Sequence, residues 1–380
     1  MNIQKKYRFI FLLSMALGAN CWCMKEQAYT EESGYPVQAM KHYKKTLPQI
    51  NVPQNESSHE EIATEIAELL CKLTAQENIS GKDVLIDNIK QFVRQDRRIK
   101  LVLTSFPLKS SNTTTKTLTE TFDFADYIGL YTLNHICKQI KRIYDPGARI
   151  HIYSREVQTD YANKVTQKYF NIDIFPEEAR RKYQRRLKLI IKHCFSQHLE
   201  LETVDEEIAI QNYEQVAKAY SLARQGQGLK DYLDRKIFWE EDLCWLRETN
   251  PKTYSKSKIE KCAKDIAKCM IIGSEAMKQT VNQLLEEKMY IKLSMHPDNE
   301  VNNHIGFSLV YGAIGAPWHN VVAFDDDQLV YGHRDDIEKH VQQKCKLSDM
   351  QAKKATSCLV RKWNPPSCEF ELEYVDVTND

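Results

Sequence analysis

Two apolar segments separated by a long amphipathic helix constrain the fold of this chain most. Residues 99–104 (IKLVLT) and 149–154 (RIHIYS) are typical of buried strands, and periodic apolar residues predict a helix over 124–144. Asp145-Pro146-Gly147 ends that helix just before the second strand. A strand–helix–strand unit pairs its strands in parallel, with the helix packed on one face of the sheet. The sequence therefore predicts an α/β fold with a Rossmann-like, mixed but mostly parallel sheet flanked by helices.

The composition is that of a globular protein without a strong electrostatic bias. Hydrophobic residues make up 42% of the 380 residues, and 53 basic side chains nearly balance 52 acidic ones. A net charge of +1 provides no basic field for a nucleic acid, and the sequence has no zinc-finger, RNP-like or basic-zipper pattern. We therefore expect no nucleic-acid partner.

The first 23 residues have the pattern of a signal peptide. Lys5, Lys6 and Arg8 precede an apolar stretch over 9–19, which suits a signal peptide and is short for a transmembrane helix. A non-cleaved interfacial anchor or a misassigned start is the alternative. No later segment is apolar enough to predict a membrane span, so the leader alone suggests export or membrane association.

Cysteine usage indicates a different compartment. The eleven cysteines form no CxxC pair and no zinc-binding spacing, and most of them, such as Cys137, lie in apolar helical patterns. This usage is typical of buried, reduced thiols. The localisation therefore stays open between export and the cytoplasm, where the substrates discussed below would be found.

Periodicity and composition divide the chain into four parts. Residues 1–23 are the leader, 24–58 a polar, proline-punctuated linker, 59–340 the α/β domain and 341–380 a C-terminal extension. Within the domain, 176–288 is highly charged and nearly all helical, which predicts a helical insertion between two halves of the sheet. Further strands are predicted at 290–295 and 305–311 and as a hairpin at 321–324 and 329–332.

Three polar clusters follow predicted strands. They are Lys109-Ser110-x-Asn112, Lys292-x-Ser294-x-His296 and Trp318-His319. Ligands of open α/β sheets bind beyond the carboxyl ends of the strands, so these clusters are candidates by position. A lysine beside hydroxyls and turn amides suits a phosphate. Each cluster alone also fits an ordinary exposed loop, a strand end or a buried tryptophan.

A non-haem iron site and a hydrolase are the two alternative chemistries for these residues. His296-Pro297-Asp298 matches the H-x-D of a non-haem iron site, with His333 or His340 as a third ligand, but that chemistry usually occurs in β-barrels. A hydrolase is disfavoured, because the chain has no G-x-S-x-G and no cysteine in a recognisable nucleophile context. The acids of 325–327 could bind a cation, although acids in a hairpin turn commonly face solvent.

Four motifs together resemble the pyoverdine/dityrosine biosynthesis family, which includes the isocyanide (isonitrile) synthases. The family's F-P-x-K-S-x-N corresponds to 106–112 (FPLKSSN), and its Y-x-P-G-A-x-I-x-I-x-S to 144–154, after Asp123-x-x-Asp126. Its R-L-S-I-H-P corresponds to 292–297 (KLSMHP), and its T-P-W-H to 316–319 (APWH). The motifs occur in the family's order between residues 99 and about 324.

The resemblance implies an enzyme of secondary metabolism. Family members with a known reaction join the amino nitrogen of an aromatic amino acid to a carbon of ribulose 5-phosphate, giving an isonitrile without a metal or redox cofactor. An iron/2-oxoglutarate oxygenase is often their pathway partner. Such a condensation needs a phosphate site, a group that moves protons and a way to expel the rest of the sugar.

The resemblance also implies roles for individual residues. His296, His319 and Lys109 are the predicted catalytic residues, since an imidazole titrates nearest neutral pH and can act as acid and base. Trp318 is predicted to stack on an aromatic substrate. The full set of predicted substrate-binding residues is Ser110, Asn112, Asp126, Ser154, Asp160, Lys292, Ser294, His304 and Trp318.

The chain departs from the family pattern at cationic positions. Lys292 replaces an arginine and loses bidentate recognition of an anion, and His304 stands where a lysine is expected. Residues 155–160 replace an Asp-Gly turn followed by an arginine, and 271–273 (IIG) lack basic residues common there. The predicted function is therefore a divergent isonitrile synthase. The alternative is a non-catalytic or exported relative that binds a small molecule or a host protein.

Overall fold

A computed structural model describes most of the α/β domain. The described residues are 42–49, 58–73, 80–117, 120–154, 156–222, 225–285, 289–295, 304–313, 315–325 and 328–345. The predicted leader, His296 and the extension beyond residue 345 lie outside these ranges, as does the H-x-D of the iron-site alternative.

The helices and strands alternate along the described chain. The helices are α1 (His59–Lys72), α2 (Lys82–Arg94), α3 (Phe124–Ile143), α4 (Glu156–Phe170), α5 (Glu177–Ile190), α6 (Glu206–Ala219), α7 (Gly226–Asp242), α8 (Cys244–Thr249), α9 (Lys256–Leu284) and α10 (Arg334–Cys345). The strands are β1 (Ile99–Thr104), β2 (Ala148–Tyr153), β3 (Leu199–Glu202), β4 (Ile291–Ser294), β5 (His304–Gly306), β6 (Val321–Asp325) and β7 (Gln328–Gly332). A π-helical turn (Ile191–Phe195) continues α5, and a 3₁₀ turn (Pro317–His319) precedes β6.

The central sheet has five strands in the order β3-β2-β1-β4-β5, and all four of its pairings are parallel. The predicted parallel sheet flanked by helices is thereby confirmed. The antiparallel component is a separate ribbon, because β6 and β7 pair only with each other within the described strands, as the predicted hairpin. The order changes direction between β1 and β4, and ligands of open parallel sheets bind at the carboxyl ends beside such a reversal.

One face of the sheet forms the main core. Leu101 of β1 lies in register with Ile150 of β2 and Ile291 of β4, and all three belong to the main apolar cluster. On the opposite face Val102 and Tyr153 pack against Met277 and Val281 of α9. Burial on both faces explains why β1 is a continuous apolar run rather than an alternating one.

Side-chain caps fix where the helices begin. Ser58 caps α1 in a reciprocal capping box, since its Oγ accepts from the Glu61 amide at 3.2 Å and the Glu61 carboxylate accepts from the Ser58 amide at 2.7 Å. Asp123 and Asp126 form the same arrangement at the start of α3. The second box is buried, and its carboxylates have a further partner described below.

The charged segment 176–288 is not a helical insertion throughout. It contains β3, which pairs with β2 and is the edge strand of the main sheet. Leu199 and Leu201 alternate with Glu200 and Glu202, but four residues are too short a pattern to stand out among charged helices. The predicted strand over 305–311 is likewise shorter, because β5 ends at Gly306.

The described part of the predicted linker packs on the domain. Tyr43 and Leu47, one helical turn apart, are 4% and 2% exposed. The Tyr43 hydroxyl lies 2.7 Å from the Thr132 hydroxyl of α3 and accepts from the Tyr311 amide at 2.8 Å. Residues 42–49 therefore belong to the folded unit, and the prediction of a linker with little structure of its own does not hold for them.

The described cysteines follow the prediction of buried, reduced thiols in part. Cys137 and Cys262 are buried free thiols, whereas Cys244 is exposed and Cys194 is disulfide-bonded. Burial raises the pKa of the Cys262 thiol to about 12, so it is unreactive near neutral pH. Over the described ranges, no helix combines the length and the apolar composition needed to cross a bilayer.

Replacement of Tyr43 by phenylalanine tests whether residues 42–49 are part of the cooperative fold. The variant leaves the buried Tyr311 amide and Thr132 hydroxyl without this partner, so we expect the free energy of unfolding to fall by about 1–3 kcal/mol. Urea titration of the full chain measures this loss. The matched control is Tyr290→Phe, whose hydroxyl contacts the exposed Asn282 side chain and whose loss should stay within about 0.5 kcal/mol. Equal effects of the two changes would contradict the interpretation.

Candidate active site

The loop after β1 begins with a strained residue. Phe106 has φ +53°, a left-handed conformation that is unusual for a bulky residue and costs about 1–3 kcal/mol. Its carbonyl accepts from the Gln184 amide at 3.1 Å, and its ring packs edge-on against Trp318 with centroids 5.4 Å apart. These contacts hold the conformation and turn the following residues towards the carboxyl end of the sheet.

Lys109 lies at the centre of a buried ion cluster. Its side chain is fully buried, and its Nζ lies 2.7 Å from Asp123 Oδ1 and 3.2 Å from Asp126 Oδ2. The same ammonium donates to the carbonyls of Pro317 at 2.8 Å and Asn320 at 3.1 Å. An ammonium has three donors, and all of them are engaged inside the protein. Lys109 therefore joins the start of α3 to the P-W-H segment, and a direct contact with substrate stays a prediction.

The carboxylates of Asp123 and Asp126 share a single counter-charge, the ammonium of Lys109. Burial and the neighbouring Asp126 carboxylate raise the pKa of Asp123 to about 7, although Lys109 opposes the shift. Asp126 also accepts from the Tyr183 hydroxyl at 3.0 Å, and burial next to that carboxylate raises the pKa of Tyr183 well above its usual value. Asp123 Oδ2 has no hydrogen-bond partner within the described residues. The cluster can therefore hold or release a proton near neutral pH.

Ser110 and Asn112 attach the loop to helix α7. The Ser110 hydroxyl donates to Asp242 Oδ1 at 3.1 Å, and the Asn112 amide donates to the Asp242 carbonyl at 3.3 Å. Asn112 also closes a turn, since its Oδ1 accepts from the Thr115 amide at 3.0 Å. The ammonium of Lys116 lies 2.9 Å from the same Asp242 carboxylate. Asp242 is thus the anchor of the loop.

The P-W-H turn is held on the other side of the loop. The Ser110 amide donates to the Trp318 carbonyl at 2.8 Å, and Trp318 itself is 5% exposed. Gly129 of α3 permits the close approach, because a Cβ there would lie 3.0 Å from Pro317 Cγ and 3.4 Å from Phe106 Cζ. The tryptophan ring is therefore part of the core in this arrangement, and its predicted stacking on a substrate stays untested.

His319 is half-buried against an aromatic wall from α7. Its ring packs edge-on against Phe238 with centroids 5.0 Å apart. Lys116 lies over the same phenyl ring, 3.7 Å from its centroid. His333 is also close to Lys116, and burial together with that positive charge lowers the pKa of His333. An imidazole, an aromatic face and two further titratable groups are thus gathered beside the loop.

Ser154 and Asp160 have different surroundings. Ser154, at the carboxyl end of β2, accepts from Gln184 at 2.7 Å, and the same amide also donates to the Phe106 and Pro107 carbonyls. Ser154 is therefore part of the assembly around the loop. Asp160 on α4 instead pairs with Arg180 of α5 and lines a groove of about 610 Å³ between α4 and α6. The structure does not bring Asp160 into the ion cluster.

The remaining predicted residues lie on β4 and β5. Lys292 and Ser294 are half-buried on the face of β4 opposite to Leu293, which is in the main core. His304 begins β5 in register with Lys292. β4 stands beside β1 at the reversal in strand order, with β5 next to β4 at the sheet edge, which agrees with the positions expected for a ligand site.

Several residues of the assembly were not predicted from the sequence. Tyr183 contacts Asp126 of the ion cluster, and the residues that contact the loop or His319 are Gln184, Phe238, Asp242 and Lys116. Tyr183, Leu187 and Ile190 follow helical apolar spacing, which could have marked one face of α5 as buried. For Asp242 and Phe238 no local signal exists, because their partners are more than 80 residues away in sequence. Among the described residues, the side chains that could together bind a metal ion are His151 of β2 and Glu200 and Glu202 of β3, outside this assembly.

Comparison with known proteins accounts for this arrangement. The sequence profile of the family described as pyoverdine/dityrosine biosynthesis protein matches residues 89–345, well over half of the chain. The chain belongs to this family. The resemblance inferred from the four motifs is thereby confirmed.

Characterised relatives in the family are isonitrile synthases. The chain is 26% identical over 268 residues to an L-tyrosine isonitrile synthase of Xenorhabdus nematophila, covering 67% of this chain and 77% of that protein. It is 26% identical over 262 residues to the L-tryptophan isonitrile synthase AmbI2 of Fischerella ambigua, covering 67% and 76%. The crystal structure of PvcA from Pseudomonas aeruginosa matches with a TM-score of 0.56 at 22% identity, over 81% of this chain and 94% of that one. The last comparison shows a common fold.

Removal of the ammonium tests the interpretation of Lys109 as the centre of the cluster. Lys109→Met leaves two buried carboxylates without their cation, so we expect the free energy of unfolding to fall by about 3–5 kcal/mol. The double variant Lys109→Met/Asp123→Asn removes one of the stranded charges and should recover part of the loss. Chemical denaturation measures both, with the exposed Lys45→Met as control. A loss no larger than that of the control would contradict the interpretation.

The pH dependence of stability tests the raised pKa of Asp123. Its pKa rises from 3.8 to about 7 on folding, so the folded state binds more protons between these values and stability from this group falls as pH rises through that window. Asp123→Asn keeps a side chain that caps α3 and removes the titration. We expect the difference in unfolding free energy between wild type and variant to decrease from pH 4 to pH 7 and to level off above. A constant difference across this range would contradict the raised pKa.

Proposed function

We propose that the chain is an isonitrile synthase that condenses the amino group of an aromatic amino acid with ribulose 5-phosphate. The observation that carries the proposal is the direct joining of two family motifs, since Lys109 and Ser110 of F-P-x-K-S-x-N bind the carbonyls of Pro317 and Trp318. The names of the relatives, which act on tyrosine and tryptophan, support the substrate class. In the same proposal the strand order 3-2-1-4-5 corresponds to a Rossmann-like sheet.

His319 is the proposed acid and base. It is half-buried beside Phe238, at the end of the turn that Lys109 fixes, and an imidazole can accept the proton of the attacking amine and return it to a leaving oxygen. His296 is the proposed second histidine of the pair, on the basis of the family motif alone. Asp123 can accept or supply a proton indirectly through the cluster around Lys109, since its pKa is raised to about 7.

Lys109 is proposed to act on the reaction by positioning. All of its donors are used to hold the P-W-H turn and α3, so its contribution is the placement of His319. Ser110 and Asn112 have the same kind of role through Asp242. The sugar phosphate is proposed to bind at the carboxyl ends of β1 and β4, with Lys292 as the cation and with Ser294 and His304 beside it. An oxygenase that acts on the isonitrile is the proposed pathway partner.

Incubation of the full chain with ribulose 5-phosphate and single aromatic amino acids tests the reaction. We expect an isonitrile that carries one carbon of uniformly ¹³C-labelled ribulose 5-phosphate, measured by mass spectrometry. His319→Gln should lower turnover by about 10²–10⁴-fold, because it removes proton transfer while keeping a polar side chain. His59→Gln, at an exposed position of α1, is the matched control. Folded wild-type protein that consumes neither substrate would instead favour the non-catalytic binding alternative.

A further inference from the structure

A group of metal-ligating side chains lies on the sheet face opposite to the main core. Glu200 and Glu202 alternate along the edge strand β3, so both carboxylates emerge on the same face. His151 of β2 lies in register with Glu200 and also faces this side. Parallel pairing of two short strands thus brings one imidazole and two carboxylates together.

The donor atoms of these three residues converge. One ligand atom from each lies within 4.8 Å of the other two. His151 Nδ1 forms a hydrogen bond with Glu202 Oε1 and lies 3.8 Å from Glu200 Oε2. Ligands bound tetrahedrally to Zn²⁺ at about 2.1 Å are separated by about 3.4 Å, so small side-chain rotations suffice to place an ion among these atoms.

The group is open to solvent. The side chains of His151, Glu200 and Glu202 are 15%, 44% and 28% exposed, so an ion can enter and water can complete its coordination. Arg149 pairs at 3.0 Å with Glu200 Oε2, the same oxygen that lies 3.8 Å from His151 Nδ1, so a cation would compete with the guanidinium for this carboxylate. The positive charges that act on these carboxylates are those of Arg149 and Lys100, and a divalent cation would compete with both.

We propose that His151, Glu200 and Glu202 form a binding site for a divalent cation of the Zn²⁺ class. A mixed set of one nitrogen and two carboxylate oxygens is a ligand set that Zn²⁺ accepts, whereas Mg²⁺ and Ca²⁺ prefer oxygen ligands alone. Tyr153 lies in register with Glu202, on β2, and β2 leads through Ser154 towards the candidate active site. The site is distinct from the reaction proposed above and would exist without it.

The alternative is a network of ion pairs that needs no metal. In that case the bond between His151 and Glu202 and the pair between Arg149 and Glu200 are the final arrangement. The two interpretations predict opposite effects of Arg149. A metal competes with its guanidinium for Glu200, whereas an ion-pair network depends on it.

Titration of the full chain with Zn²⁺, followed by calorimetry, tests the site. Co²⁺ absorption serves as a second probe, because it distinguishes nitrogen and oxygen ligands from cysteine thiolates. We expect one ion per chain with nitrogen and oxygen ligands. His151→Asn and Glu202→Gln should each weaken binding at least tenfold, and His59→Asn should leave it unchanged.

Arg149→Gln distinguishes the two interpretations. Because it frees Glu200 and removes a positive charge, we expect tighter Zn²⁺ binding in this variant. Unchanged or weaker binding in Arg149→Gln would overturn the assignment of Glu200 as a ligand. Absence of stoichiometric binding, or equal affinity in wild type, His151→Asn and Glu202→Gln, would overturn the whole site. Circular dichroism confirms that each variant is folded, so a loss of binding reports on the ligands.

Discussion

The buried ammonium of Lys109 is the interaction on which the candidate site depends. It contacts Asp123 and Asp126, 14 and 17 positions further along the chain, and two carbonyls more than 200 positions away. Removing a lysine and two carboxylates from water is costly, and attraction in the interior offsets that cost only with close geometry and satisfied donors. The cluster makes the packing of three segments specific. The loop after β1, the start of α3 and the P-W-H turn can meet in only one way around a single cation.

Other features of the site follow from this constraint. The loop must leave β1 in the direction of Lys109, and Phe106 adopts a left-handed conformation to do so. The P-W-H turn must lie close to α3, and Gly129 provides the space. Burial of the cluster, together with the neighbouring Asp126 carboxylate, raises the pKa of Asp123 to about 7 although Lys109 opposes the shift. The strained conformation of Phe106, the need for a glycine at position 129 and the raised pKa of Asp123 thus all follow from the buried cluster around Lys109.

The sequence was sufficient for the core strands and for the positions of the motifs, but not for the edge strand β3. Apolar runs and helix ends identified β1, β2, α3 and the β6–β7 hairpin, and the motifs correctly indicated the loop and the turn as neighbours. A motif gives residue types, and it does not say whether a side chain faces ligand or core. Lys109 and Trp318 were expected at the substrate, yet both are buried, because a lysine can be satisfied by carboxylates and carbonyls contributed from far along the chain. Long-range partners such as Asp242 leave no trace in the local pattern.

The burial of Trp318 changes which residue can set substrate preference. The aromatic ring next to His319 is that of Phe238, which is half-buried and lies on α7, within the charged segment 176–288. Lys116 and Asp242 hold α7 against the loop, and Ser110 connects that loop to the P-W-H turn. On the proposed function, the motifs fix the position of His319, which moves protons. The charged segment 176–288 supplies the surface that contacts the side chain of the amino acid. Substrate choice can then diverge among relatives while the reaction is retained.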